Sequence, residues 1–115
     1  MNDMDAMDVE IRVTPEGAIV VPVGEIDLGR APAFREHLTR VQRERPERLI
    51  VDLGQVPYMD SSGVATLVEA MQTARRSGSR LVLCNLQERV RSIFEIARLE
   101  TVFVIVASVE EGKSA

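Results

Sequence analysis

Met59-Asp60-Ser61-Ser62-Gly63-Val64 is the stretch on which the reading of this chain turns. It follows Leu49-Ile50-Val51-Asp52-Leu53, an apolar run of strand length, and opens a run with helical spacing. Val64, Leu67, Val68 and Met71 recur on one helix face, with Ala70 and Ala74 beside them. Two serines flanked by an acid and a glycine therefore fall at a strand-to-helix turn. A helix start leaves backbone N–H groups without intrahelical partners and carries the positive end of the helix dipole. A phosphate attached there is expected to meet a ready-made anion site. Asp60 or Ser61 also fits the plain role of helix N-cap, and spacing alone leaves both roles open. Neither serine has Glu or Gln three residues on, so the reciprocal capping box is absent. Gly63 in the first turn costs about 1 kcal/mol against Ala, which points to a need for close approach.

Outward from this turn, strands and helices alternate. Arg75 and Arg76 suit the negative end of the helix, and Gly78 is placed to end it in a left-handed conformation. Arg80 to Cys84 reads as a strand, Val90, Ile93, Phe94 and Ala97 as a third helix, and Val102 to Val106 as a last strand. Ser108 is placed to cap a short final helix from Val109. Toward the N-terminus, Phe34, Leu38 and Val41 mark a helix over Ala33 to Arg43. Pro32 stands in its first turn and Pro46 stops it. Val9-Glu10-Ile11-Arg12-Val13 alternates as a half-buried strand does. Thr14-Pro15-Glu16-Gly17 suits a type I turn, and Ala18 to Val23 forms the second strand of an antiparallel hairpin. Pro22 removes a ladder donor and belongs at an edge, a bulge or a strand end. The order β-β-α-β-α-β-α-β, with a last short α, predicts a single α/β domain. Its sheet is mixed and mostly parallel, of four to five strands, with an N-terminal hairpin and right-handed helical crossovers. The domain is expected over residues 8–115. Residues 1–7, polar and Met-rich without periodicity, are expected to be a flexible tail.

The bulk numbers narrow the function. At 115 residues the chain has room for one domain with one core. A net charge of −4 argues against a nucleic-acid partner, since phosphate neutralisation needs a basic surface. No run of 18 apolar residues is present, and the first residues are acidic where a signal peptide is basic, so no membrane insertion and a cytoplasmic location are expected. Aromatic residues make up 3 %, too few for base-stacking platforms. Cys84, the single cysteine, reads as a small buried hydrophobe in a strand.

Parallel strands end at one edge, and sites favour the loops beyond their carboxyl ends. Three loops qualify here. The first carries Glu25 and Asp27, the second Tyr58, Asp60, Ser61, Ser62 and Gly63, and the third Asn85. With no basic residue between Gly24 and Leu28 or between Leu53 and Leu67, the shared surface is expected to be acidic and to suit a basic patch on another protein. Catalysis is not expected. G-x-S-x-G is missing, and the only histidine, His37, reads as a solvated residue of the first helix. One His, one Cys and scattered acids give no metal-ligand spacing, and no glycine-rich phosphate loop is present, so neither metal nor cofactor is expected.

The chain resembles a STAS domain, and within that group the bacterial anti-sigma factor antagonists. The resemblance runs from about Val9 to Val106. Its most specific part is Ile50-Val51-Asp52-Leu53 through Met59-Asp60-Ser61-Ser62-Gly63, joined by Gly24-Glu25-Ile26-Asp27 and Leu81-Val82-Leu83-Cys84-Asn85. It implies a regulator without enzymatic activity that binds an anti-sigma factor which is also a serine kinase, and so frees a sigma factor. Phosphorylation of the serine after the aspartate, Ser61 here, would end that binding, and a phosphoserine phosphatase would restore it. Ser62 would be the second hydroxyl position. The resemblance equally admits an accessory subunit of an ABC lipid transporter, or a part of a stress-signalling assembly. Two positions depart from the family pattern: Leu86 stands where many relatives have Pro, and Arg98 where a Gly often precedes Leu.

Overall fold

The computed structural model describes residues 6–115. Five strands form one sheet in the order β1-β2-β3-β4-β5. They are β1 (Asp8–Thr14), β2 (Gly17–Val23), β3 (Arg48–Asp52), β4 (Arg80–Cys84) and β5 (Val104–Val106). The first two pair antiparallel around the Pro15-Glu16 turn, and every later neighbour is parallel. Helices α1 (Ala31–Arg43), α2 (Ser61–Ser77) and α3 (Glu88–Ile96) make the crossovers, and α4 (Val109–Gly112) follows β5. The single mixed α/β domain expected from the sequence is thus present.

Strand order explains where the core sits. Each parallel step moves the same way across the sheet, so crossovers of one hand place α1, α2 and α3 on one face. Alternate strand residues Ala18, Val20, Leu49, Val51, Leu81 and Leu83 meet Phe34, Leu38, Leu67, Val90 and Phe94 there. The intervening residues Ile19, Val21, Ile50, Val82 and Cys84 face the other way, and Val109 and Ala115 pack on them. The cover for this second face, left open by the sequence, is α4. Gly112 lies so close to β3 that a Cβ there would stand 3.2 Å from Ile50 Cγ2.

Pro22 falls beyond Val20, the last β2 residue paired with β3, so its missing donor costs no ladder bond on that side. Gly78 ends α2 at φ 74°, as expected. β5 is shorter than the Val102 to Val106 run implied. The N–H groups of Val102 and Phe103 donate to Leu99 O at 2.9 and 3.1 Å, so they are unavailable to the ladder. Phe103 instead turns into the core, edge-on to Phe94 with ring centroids 5.4 Å apart. The expected tail boundary needs correction at Met7, which is buried in the main core. Residues 1–5 of that expected tail lie outside the described residues.

Candidate functional site

The three loops do converge at the carboxyl ends of the parallel strands, and backbone hydrogen bonds lock them together. Ile26 N donates to Tyr58 O at 3.0 Å and Asp60 N to Ile26 O at 3.1 Å, forming a parallel bridge between Ile26 and Met59. Gly24 N reaches Gln55 O at 2.9 Å. The third loop joins through Asp52, whose Oδ1 accepts from Gly54 N at 2.9 Å and from Asn85 Nδ2 at 3.1 Å. Gln87 Nε2 donates to Gly54 O at 2.9 Å. Asn85 takes φ 58°, a left-handed conformation that Asn tolerates better than most residues.

Asp60 is the hub. It is the N-cap of α2, with Oδ1 accepting from Ser62 N at 2.8 Å and Gly63 N at 3.4 Å. Its Oδ2 accepts from Leu28 N at 3.1 Å, tying the first loop to the helix start. Of the two residues that the sequence left open as the cap, Asp60 takes the role. The anion site expected at the helix start is therefore partly filled: the Ser62 and Gly63 N–H groups are satisfied by the chain's own carboxylate.

Ser61 is the first residue of α2 and is exposed. Among the described residues no hydrogen bond engages its hydroxyl. Ser62 is half-buried, and its carbonyl accepts from Thr66 Oγ1 at 2.9 Å. Gly63 is buried, and a Cβ there would lie 2.9 Å from Ile26 Cγ2 and 3.0 Å from Met59 Cβ. The close approach that its helix cost implied is therefore internal: Gly63 lets α2 seat on the Ile26–Met59 bridge.

The expected acidic surface also carries positive charge. Asp27 accepts from Arg30 N at 3.0 Å through Oδ1 and from Arg30 Nη1 at 3.1 Å through Oδ2. Arg89, in the first turn of α3, stands with its guanidinium carbon 5.0 Å from the Tyr58 ring centroid. Glu25 is exposed, so the face mixes a carboxylate, two arginines, a Tyr ring and Leu28, which is 75 % exposed. Both arginines lie just outside the loop segments that carry no basic residue, Arg30 at the start of α1 and Arg89 at the start of α3. The helix starts next to those loops were the signal.

His37 is also corrected. It is half-buried, and its Nδ1 is buried without a hydrogen-bond partner among the described residues. Cys84 is fully buried, and burial first, then the nearby Asp52 carboxylate, pushes its thiol up to about 12. Among the described residues no helix is long and apolar enough to cross a membrane.

Comparison with known proteins agrees with the fold. The STAS domain family model matches residues 8–112. The anti-sigma-B factor antagonist of Bacillus subtilis is 32 % identical over 106 residues, covering 92 % of this chain and 96 % of the relative. An anti-sigma factor antagonist from Mycobacterium paratuberculosis superposes with TM-score 0.87 over 99 % of this chain and 97 % of that one, at 18 % identity. The Bacillus cell fate determinant SpoIIAA in its phosphorylated form superposes with TM-score 0.68 over 92 % of this chain and 96 % of that one, at 22 % identity. Anti-sigma factor antagonists are regulatory binding proteins rather than enzymes. With a family match over nearly its whole length and a fold that agrees, the chain belongs to the STAS domain family.

Proposed function

We propose that the chain is a cytoplasmic anti-sigma factor antagonist: unmodified, it binds an anti-sigma factor that is also a serine kinase and so releases a sigma factor. Phosphorylation of Ser61 ends the binding, and a separate phosphoserine phosphatase restores it. The observation that carries this reading is the exposed, unengaged hydroxyl of Ser61 beside a cap residue whose carboxylate is fully committed. The partner surface is formed by Glu25, Asp27, Tyr58, Asp60, Ser61, Ser62 and Asn85, with Gly63 holding the helix start in place from below.

A phosphate adds about −1.5 to −2 charges at neutral pH. Asp60 already holds the Ser62 and Gly63 N–H groups, so locally the new charge has the helix dipole and few free backbone donors to offset it. It therefore projects toward the partner, where a surface shaped for a hydroxyl meets a bulky dianion. Uncompensated charge at an interface costs several kcal/mol. A loss of about 3 kcal/mol weakens binding more than a hundredfold, enough for a switch.

Calorimetry against the kinase tests this directly. Ser61→Ala is expected to bind as the parent does and to resist modification, while Ser61→Asp is expected to bind at least tenfold more weakly at roughly 1.4 kcal/mol per decade. Equal affinities for the two variants would remove the mechanism. Incubation with kinase and ATP should add one phosphate to a peptide spanning Tyr58 to Met71, and labelling at Ser77 or Ser108 instead would refute the assigned residue.

A further inference from the structure

β1 is a seven-residue edge strand with no proline and no bulge, and among the described residues nothing pairs with its outer side. The opposite edge of the sheet, β5, has only three residues. On the helix-side face of β1, Val9 packs on the core, but Ile11 is 39 % and Val13 is 84 % exposed. They border a groove of about 470 Å³ that α1 fails to cover, lined also by Ala18, Val41 and Pro46. On the other face Glu10 and Arg12 are exposed and pair with each other at 3.4 Å.

The hydrogen-bonding parity of this edge follows from two independent features. Thr14 and Gly17 close a two-residue turn, which places them in a hydrogen-bonded pair, so Arg12, Glu10 and Asp8 turn their backbone groups toward β2. Pro22, opposite Val9, has no N–H to give, which suits a non-hydrogen-bonded pair. Both place the N–H and C=O groups of Val9, Ile11 and Val13 on the free side.

We propose that this edge pairs antiparallel with the β1 of a second copy, about a two-fold axis at Ile11. In that register Ile11 faces Ile11 of the other copy, Val9 faces Val13, and Glu10 faces Arg12. The free backbone groups of Val9, Ile11 and Val13 all find partners, and the exposed Val13 gains an apolar neighbour. The opposing charges are complementary at both symmetric positions, whereas a slip of two residues sets Glu10 against Glu10 or Arg12 against Arg12. This self-complementarity selects a second copy over an unrelated strand. The same two charges oppose unspecific edge pairing, a common guard on open sheets. A strand pair buries less than the ~1,200 Å² of a stable interface, so the dimer is weak and concentration-dependent.

Sedimentation velocity of the full chain across a concentration series tests the proposal. The parent is expected to shift from monomer toward dimer as concentration rises. Glu10→Arg and Arg12→Glu each set like charges opposite one another, and each alone is expected to lower the association constant about tenfold or more. Mixing the two variants sets a strand with two basic side chains against one with two acidic side chains, which restores attraction at both symmetric positions, and dimers are expected to return. Ile11→Lys is expected to be monomeric throughout. Hydrogen exchange gives a readout free of substitution: the amides of Val9, Ile11 and Val13 should gain protection with concentration while those of Val104 to Val106 do not. A parent that stays monomeric, single variants that dimerise as the parent does, a mixture that fails to recover, or exchange independent of concentration would each overturn the proposal.

Discussion

Asp60 divides its carboxylate between two segments, one oxygen on the start of α2 and one on Leu28 N of the preceding loop. A cap of this kind contributes about 1 kcal/mol, but its greater effect is to fix where Ser61 stands relative to the first loop. Gly63 is the counterpart on the buried side. Replacing it by Ala forces a Cβ within 3.0 Å of Ile26 and Met59, neither of which is a flexible side-chain end at the point of contact. Gly63→Ala gains helix propensity yet is expected to lose about 1–3 kcal/mol overall through overpacking, read as a lower urea midpoint. Partner affinity should fall with it, because the helix start must move. If stability is unchanged, the seating of α2 is looser than the geometry requires.

At the scale of the element, the end of α3 carries an avoidable strain. Leu99 N donates to Phe94 O at 2.8 Å and Arg98 N to Glu95 O at 3.0 Å, the paired bonds of a Schellman ending. That motif puts its pivot residue in the left-handed region, and Arg98 sits there at φ 57°. The position where Arg departs from the family's glycine is thus one that glycine suits. A left-handed conformation costs a non-glycine residue roughly 1–2 kcal/mol, partly returned by its smaller freedom when unfolded. Arg98→Gly is therefore expected to stabilise the domain by about 1 kcal/mol, read by denaturant titration, with no change in partner binding. Leu86, the other departure, is accommodated without strain: it is half-buried against the main core.

At the scale of the whole molecule, one consequence of strand order is an unequal sheet. Three helices cover one face, and among the described residues the four-residue α4 with the segment after it covers the other. Removing residues 108–115 uncovers Ile50, Val82 and Cys84 and is expected to cost about 3 kcal/mol. Cys84 reports on this cover. In the full chain its thiol, pushed up to about 12, should resist alkylation at pH 8, and in the shortened chain it should be labelled. The pH dependence has a definite sign. A thiol raised in the folded state stabilises it below the ordinary value near 9.0, and that contribution is lost as pH rises from there toward about 12. Cys84→Ala should flatten the alkaline slope of stability, and an unchanged slope would assign it to other groups.

The sequence by itself determined the element order, the hairpin, the stop of α1 before Pro46, the left-handed end of α2 at Gly78 and the serine at a helix start. All of these are local: they follow from side-chain periodicity and from the backbone limits of Pro and Gly, which act within a few residues. Only the tertiary structure decided what the loops do to one another. Asp60 reaching Leu28, Asn85 reaching Asp52, Arg89 over Tyr58 and Gly63 against Ile26 each join residues distant in the chain, and no periodicity carries that information. The same holds for the second face of the sheet. The handedness of the crossovers leaves it bare, and which segment covers it depends on three-dimensional closeness, here Gly112 against Ile50.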